Sequence, residues 1–211
     1  MTALAAAEAA GDDALAGNSL AFLAYLEWAS GRSGITLAEA ACDRAGRHAT
    51  PGVRALLWDR LAWQYATTGR VQETEQALGR AEEAIAEHAG QREPDWVYWV
   101  DSDEIAIMSG GCWAELRRPL RAITPLESAL ERYADTHARD KALYLSWLAE
   151  AYLDAGEAEH ASLITGQVLD LADGLASTRP LSRSRRLAER LRPYRSIASV
   201  GEVVGRVEAA G

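Results

Sequence analysis

Two stretches of this sequence share one pattern: residues 58–81 read WDRLAWQYATTGRVQETEQALGRA, and residues 145–168 read LSWLAEAYLDAGEAEHASLITGQV. In each stretch, large apolar residues recur at steps of three and four before a glycine, and small residues recur after it. Such a period predicts two amphipathic helices that meet at the glycine. The stretches match in register at eight positions, which are Trp58, Leu61, Ala62, Tyr65, Gly69, Thr74, Leu78 and Ala81 in the first and Leu145, Leu148, Ala149, Tyr152, Gly156, Ala161, Thr165 and Val168 in the second.

The small residues of the pattern indicate how the two helices pack. Ala62 and Ala149 are expected to let a neighbouring helix approach closely, because their side chains are short. Gly69 and Gly156 are expected to end the first helix of each pair, since glycine adopts the left-handed conformation without steric cost. One helix pair cannot cover its own apolar face, so we expect further pairs to stack on it.

Two weaker copies extend the pattern, one before the first stretch and one between the two. The intervening copy contains Pro119 and Pro125 in its second helix, and Pro125 is expected to kink that helix or to restart it one turn later. The weaker copies are carried by Phe22, Leu26, Ala29, Ala38, Cys42 and Ala45, and by Ala106, Gly110, Trp113, Ala122, Leu126 and Ala129.

The overall composition argues against several classes of protein. The 211 residues carry a net charge of −9, so the molecule as a whole repels phosphate backbones, and we expect no direct binding of nucleic acid. The chain does not begin with a basic and apolar signal sequence, and no apolar stretch reaches the roughly 20 residues needed to cross a bilayer. We therefore expect a cytoplasmic protein without membrane contact.

Cys42 and Cys112 are expected to fill space in the core rather than to form a disulfide.

The motifs contain no convincing candidate for catalysis or metal binding. Glu157 and His160 form one Glu-x-x-His step, but a di-iron site requires two such pairs and further glutamates. Asp101 and Glu104 lie in an acidic run that lacks the glycine of a calcium loop. The glycine pair at 110–111 lacks the preceding strand and the following Lys-Ser or Lys-Thr of a phosphate loop. We therefore expect a protein that is not an enzyme and that holds no metal or cofactor.

The two clear copies resemble the tetratricopeptide repeat family. The family pattern W-x2-L-G-x2-Y has its counterparts at Trp58, Leu61, Ala62 and Tyr65. The resemblance implies an all-α fold, a right-handed superhelix of stacked antiparallel helix pairs.

The same resemblance implies a division of the chain into three parts. Residues 15–178 are expected to hold about four repeat pairs, and residues 179–211 to form a capping helix or helices. Residues 1–14 are expected to be loosely ordered.

In this family the first helix of each repeat lines a concave face that binds ligands. The resemblance implies that this face carries three carboxylates and an indole, which suit a cationic or amphipathic peptide or protein. The family's carboxylate clamp uses lysine and asparagine at such positions, so the capture of acidic C-terminal tails is disfavoured. The implied ligand-binding residues are Asp59, Trp63, Glu104, Ile107, Ser146 and Glu150.

A narrower resemblance lies in the region between the two clear copies and at the start of the second. It is similar to actinobacterial transcription regulators that join an N-terminal helix-turn-helix to a C-terminal tetratricopeptide sensor region, and this chain resembles the sensor region alone. The resemblance implies that the chain senses a peptide, protein or effector for a transcriptional regulator. The residues that carry this resemblance are Trp96-Val97-Tyr98-Trp99, Asp101, Glu104, Arg118-Pro119 and Asp140-Lys141-Ala142-Leu143-Tyr144-Leu145.

Two further features have both a packing and a functional interpretation. Trp96, Tyr98 and Trp99 either seal a contact between repeats, or anchor a ligand, or form the dimer interface of a self-associating scaffold.

The arginines near the C-terminus either belong to a polar capping helix or contact nucleic acid or a membrane. These arginines are Arg179, Arg183, Arg185, Arg186, Arg190, Arg192 and Arg195.

Overall fold

A computed structural model of the chain describes residues 2–87, 90, 92–133, 137–172 and 178–209, the last range without the side chains of 178–181. Every regular element in these ranges is a helix, so the prediction of an all-α fold is confirmed. None of the described helices is long and apolar enough to cross a membrane. The chain divides into two compact units, residues 1–112 and 113–211.

The first unit consists of a short leading helix, two helix pairs and most of one further helix. Its helices are α1 (Ala3–Ala10), α2 (Asp13–Ala29), α3 (Ile35–Ala45), α4 (Pro51–Thr67), α5 (Val71–Ala86) and most of α6 (Ser102–Glu115). Helix α2 pairs with α3, and α4 pairs with α5. Because α4 also packs on both α2 and α3, the second pair stacks directly on the first.

The second unit begins at the end of α6. Its remaining helices are α7 (Pro119–Leu130), α8 (Ala138–Asp154), α9 (Ala158–Ala172), α10 (Thr178–Leu191) and α11 (Ala198–Ala209), with a short 3-10 helix at Arg192–Tyr194. Helix α8 pairs with α9, and α7 packs on α8. Helix α10 packs on α8 and α9, and α11 packs on α9 and α10. The segment predicted to cap the repeats thus contains a further helix pair that stacks on the preceding one.

The glycine and alanine positions of the repeated pattern behave as predicted. Gly69 has a φ of +75° and Gly156 a φ of +85°, and each lies in the turn between the two helices of its pair. Ala62 and Ala149 are fully buried. These local rules therefore account for both clear helix pairs.

The structure differs from expectation near two segments. Residues 3–10, assigned to a loosely ordered N-terminus, are helical, because Thr2 Oγ1 accepts a hydrogen bond from the Ala5 N–H at 3.2 Å and caps α1. Asp12 caps α2 in the same way. Helix α7 begins at Pro119 and continues through Pro125 as one helix, since its buried face outweighs the loss of a single backbone hydrogen bond.

Candidate functional site: the Asp59 and Arg183 clusters

In the first unit, the most deeply buried acid among the predicted ligand-binding residues is Asp59 on α4. Asp59 is 2% exposed. Its burial raises the pKa of its carboxyl group to about 8, and the charge of Glu104 adds to that rise, while Arg60 opposes it. Among the described residues, none donates a hydrogen bond to Asp59 Oδ1. A buried acceptor without a donor costs free energy, so the packing of the fold alone does not explain this side chain.

The arginine next to Asp59 in sequence is directed toward a different helix. Arg60 Nη1 donates a hydrogen bond to Asn18 Oδ1 at 2.5 Å. The guanidinium carbon of Arg60 lies 4.5 Å from the ring centroid of Phe22 on the same helix, α2. Arg60 therefore lowers the negative potential around Asp59 without supplying the missing hydrogen bond.

Three aromatic side chains form a row that ends at Trp63 of α4. Trp63 lies one helical turn after Asp59, and its ring contacts that of Trp28 edge-on, with centroids 5.6 Å apart and an interplanar angle of 82°. Trp28 in turn contacts Tyr25 at 5.4 Å. We call Tyr25, Trp28 and Trp63 the aromatic row. Tyr25 and its neighbour Leu26 are exposed, so part of this apolar surface faces solvent.

Three of the six predicted ligand-binding side chains are buried rather than open to a ligand. Ile107 and Ser146 have no exposed surface, and Asp59 has almost none. Trp63, Glu104 and Glu150 are half-buried. The family pattern does not show how much of the predicted face is covered by neighbouring side chains.

In the second unit, Ser146 and Glu150 on α8 contact an arginine of the chain itself. Arg183 Nε on α10 donates a hydrogen bond to Ser146 Oγ at 2.5 Å. Arg183 Nη2 lies 3.6 Å from Glu150 Oε2. The guanidinium carbon is 5.9 Å from the ring centroid of Trp147. We call Arg183, Ser146, Trp147 and Glu150 the Arg183 cluster.

A second acid lies near this arginine. Burial raises the pKa of Glu115 at the end of α6, and the charge of Glu150 raises it further. The positive charges of Arg183 and Arg186 oppose that rise. Burial lowers the pKa of Arg183, and the negative charges of Glu150 and Glu115 oppose that fall.

The aromatic segment before α6 is held in place by one of its acids. Glu93 accepts a hydrogen bond from the Gly52 N–H at 2.9 Å and another from the Thr50 hydroxyl, at the start of α4. Trp96 packs against the core of the first unit.

The other two aromatic residues of that segment face solvent. Tyr98 is 78% exposed and Trp99 is 43% exposed. Trp99 Nε1 donates a hydrogen bond to the carbonyl oxygen of Trp96 at 3.0 Å, which orients its ring.

Sequence reasoning missed one cavity of about 340 Å³ between α3, α4 and α5. It lies beside the residues that the repeat pattern assigns to packing. The guanidinium carbon of Arg80 lies 4.4 Å from the ring centroid of Trp58 in this cavity. The sequence feature that could have indicated this cavity is the i, i+4 spacing of Glu39 and Asp43 on α3. That spacing places both acids on one face of the helix. The principal polar and aromatic lining residues are Glu39, Asp43, Trp58, Tyr65, Glu73 and Arg80.

The remaining titratable candidates have ordinary roles in the described structure. His160 Nδ1 lies 3.6 Å from Glu157 Oε2, and its ring stacks on Tyr152 with centroids 5.2 Å apart. In the described ranges, no group of three His, Cys, Asp or Glu side chains converges as a metal site. Cys112 is buried and Cys42 is half-buried. Burial raises the pKa of Cys42 to about 12.

Comparison with known proteins relates the chain to solved structures but not to a sequence family. No family model matches the sequence, and no curated protein matches it. Two crystal structures from Podosopora anserina are similar along nearly the whole chain. The chain has a TPR-like repeat fold.

Both of those structures carry the description of a kinesin light chain with nearly identical TPR-like repeats. The first shares 18% identity and a TM-score of 0.62, and the match covers 91% of this chain and 93% of that one. The second, a substituted variant of the same protein, shares 17% identity and a TM-score of 0.63, with 91% and 92% covered. The prediction of TPR-like helix pairs is confirmed by this likeness, which concerns the fold.

Proposed function

We propose that this chain is a non-catalytic TPR-like binding module that captures a cationic or amphipathic peptide segment of a partner protein. The ligand lies on the face of α4 that carries Asp59 and Trp63. The observation that carries this proposal is the buried Asp59 carboxylate, whose Oδ1 receives no hydrogen bond from the described residues. A positive group of a partner supplies the missing donor, and its charge favours the ionised form of Asp59.

The surroundings of Asp59 support the same choice of ligand. The aromatic row offers ring surfaces on which an apolar or cationic side chain packs. The net charge of −9 attracts a positive segment over longer distances.

We further propose that this binding serves a transcriptional regulator, with the chain as its sensing part. This proposal is supported by the sequence pattern of residues 96–145, which resembles that of actinobacterial regulators. The genomic sequence upstream of the reading frame tests the proposal. An in-frame helix-turn-helix supports it, and an unrelated neighbouring gene contradicts it.

A binding measurement on the full chain tests the proposed face. The probe is a short fluorescein-labelled peptide in which arginine alternates with leucine, and the readout is fluorescence anisotropy. Trp63→Ala and Asp59→Asn are each expected to raise the Kd at least about tenfold, with an unchanged helical circular dichroism spectrum. Leu120→Ala is the control, because Leu120 is 84% exposed on α7. Equal affinity in all four proteins would overturn the proposal.

The exposed Tyr98 and Trp99 favour a second candidate, a self-associating scaffold whose dimer interface contains these rings. Sedimentation velocity separates the two functions. A dimer that becomes monomeric in Tyr98→Ala and Trp99→Ala supports the scaffold. An unchanged association state in both variants supports peptide capture.

A further inference from the structure

The cavity between α3, α4 and α5 lies in the first unit and has no part in the proposed capture of a peptide. Its volume is about 340 Å³, and small-molecule sites begin at about 300 Å³. Its α4 side is formed by Trp58, Leu61 and Tyr65. Because an α-helix has about 3.6 residues per turn, this side lies nearly opposite the face that carries Asp59 and Trp63. The cavity is therefore a separate candidate site.

The cavity is elongated along the helices that form it. Trp58 and Tyr65 lie two turns apart on α4, which separates them by about 10 Å along the helix axis. At one end the guanidinium carbon of Arg80 lies 4.4 Å from the ring centroid of Trp58. At the other end the Tyr65 hydroxyl group is hydrogen-bonded to Glu39. Leu61, which is buried, gives the wall between the two rings an apolar surface.

Acidic side chains from α3 line the cavity along this length. Glu39 lies at the Tyr65 end, and Asp43 follows one turn later on α3. Helices α3 and α4 are joined by a short connection and pack on each other as an antiparallel pair, so that turn leads toward the Trp58 end. The Cβ atoms of residues at this spacing are about 6 Å apart. Two carboxylates at this separation beside an apolar wall match a molecule with a positive group at each end.

Neither of the two α3 carboxylates forms an ion pair with a basic residue of the described chain. Glu39 accepts the hydrogen bond from Tyr65. Asp43 is exposed and makes no hydrogen bond or ion pair with a described residue. The third acid of the cavity, Glu73, is paired with Arg70 at 2.6 Å. Both α3 acids therefore keep acceptor positions for a ligand.

The charge of the first unit favours a positive ligand. Residues 1–112 contain 17 acidic residues and 8 arginines, so they carry the entire net charge of −9. The basic residue in the cavity lining is Arg80, whose guanidinium group lies on the Trp58 ring. This contact shows that the indole ring accepts a cation. Its positive charge also weakens the attraction of the cavity for a second cation.

We propose that this cavity binds a linear diamine, with one ammonium group beside Glu39 and the other beside Asp43. Each ammonium group has three donors for the carboxylate oxygens. The methylene chain packs against Leu61 and the neighbouring aromatic rings, which removes apolar surface from water. The chain is then a receptor for a small cationic effector, a role that goes beyond peptide capture.

Isothermal titration calorimetry of the full chain with 1,5-diaminopentane tests the proposal. The matched ligand is n-hexylamine, which has the same length and the same apolar chain but a methyl group in place of one ammonium group. The diamine is expected to bind at least about tenfold more tightly than n-hexylamine at low ionic strength. An affinity for n-hexylamine equal to or above that for the diamine, or no binding of either amine, would overturn the proposal.

Charge-removing variants place the diamine in the cavity. Glu39→Gln and Asp43→Asn are each expected to raise the Kd for 1,5-diaminopentane at least about tenfold. Asp43→Asn keeps the test decisive if Glu39→Gln does not fold, because the exposed Asp43 has no described partner to lose. Glu82→Gln removes the same charge from an exposed position of α5 outside the cavity. It should change the Kd less than about twofold, and equal weakening in Asp43→Asn and Glu82→Gln would overturn the site.

Arg80→Gln tests the site with the opposite sign. Removal of this guanidinium group is expected to lower the Kd for 1,5-diaminopentane about three- to tenfold, because a positive charge within the cavity is lost. A merely structural role of Arg80 predicts no such gain. Unchanged or weaker diamine binding in Arg80→Gln would overturn the proposal. None of these measurements uses a peptide, so the diamine site and the proposed peptide face can fail independently.

Discussion

Tyr65 donates a hydrogen bond from its hydroxyl group to Glu39 Oε1 at 2.7 Å, which joins α4 to the preceding helix α3. Tyr152, at the same position of the second clear repeat, donates to Glu127 and joins α8 to α7. Burial and the bond to Glu39 raise the pKa of Tyr65 to about 12. The tyrosine of the repeated pattern therefore links successive helix pairs through its hydroxyl group as well as through its ring.

Removing that hydroxyl group is expected to weaken the fold modestly. Tyr65→Phe should lower the free energy of unfolding by about 1 kcal/mol, because one partly buried hydrogen bond to a carboxylate is lost. Urea titration followed by circular dichroism measures the change. Tyr98→Phe alters an exposed ring and should leave stability within about 0.5 kcal/mol. Equal stability of wild type and Tyr65→Phe would show that the ring of Tyr65 contributes to stability and that its hydroxyl group does not.

The buried Asp59 is expected to make stability depend on pH. Its pKa is about 8 in the folded protein, against an ordinary value of 3.8. Between these values the folded state holds more protons than the unfolded state, so this group lowers the free energy of unfolding as the pH rises from about 4 to about 8. The groups that act on its titration are Arg60, which opposes the rise in pKa, and Glu104, which adds to it.

Asp59→Asn removes that titration. The variant should be about 1–3 kcal/mol more stable than wild type at pH 8 and close to wild type at pH 4, since the cost of a buried unpaired carboxylate disappears. Urea titrations at several pH values test this. Asp140→Asn, at an exposed acid of α8, serves as the comparison and should keep the wild-type slope. A wild-type slope in Asp59→Asn would contradict the assignment.

Loss of Arg183 is expected to loosen the contact between α10 and α8. Arg183→Ala leaves Ser146 and Glu150 without their partner and should cost about 1–3 kcal/mol, as for other hydrogen bonds to charged groups. Hydrogen exchange of the α10 amides should rise with it. Arg185→Ala removes an exposed arginine of the same helix and should change neither quantity. Unaltered hydrogen exchange in Arg183→Ala would show that the apolar face of α10 is enough to hold this helix against α8.

Two glycines are expected to respond in opposite ways to the same substitution. A Cβ atom on Gly34 would lie 2.3 Å from the Ala24 carbonyl oxygen and 2.6 Å from Gln64 Oε1, whereas one on Gly79 would meet nothing within 4 Å. Gly34→Ala should therefore destabilise the protein by about 1–3 kcal/mol. Gly79→Ala, inside α5, should stabilise it by about 0.5–1 kcal/mol. Thermal unfolding of both variants measures the contrast. A higher stability of Gly34→Ala than of wild type would contradict the close approach of Gly34 to the Ala24 carbonyl oxygen.

The repeated pattern predicts the helix pairs because their causes are local. Steps of three and four place Leu61 and Tyr65 on one face of a helix, and a glycine at position 69 ends that helix wherever it lies in the fold. The same periodicity puts Asp59 and Trp63 one turn apart, so their proximity follows from sequence. The N-terminal helix α1 was missed since a short alanine-rich segment has little periodicity and depends on the cap at Thr2.

The tertiary structure alone decided what those residues contact. Helix periodicity cannot show that α10 presents an arginine to Ser146, because that contact depends on how α10 is placed after the preceding connection. Burial has the same origin: Ile107 and Ser146 lie on the predicted faces but are covered by neighbouring helices. Sequence thus determined the repeated helix pairs through short-range geometry. The packing of each helix on its neighbours determined that Glu150 lies against Arg183, whereas Asp59 Oδ1 receives no hydrogen bond from a described residue.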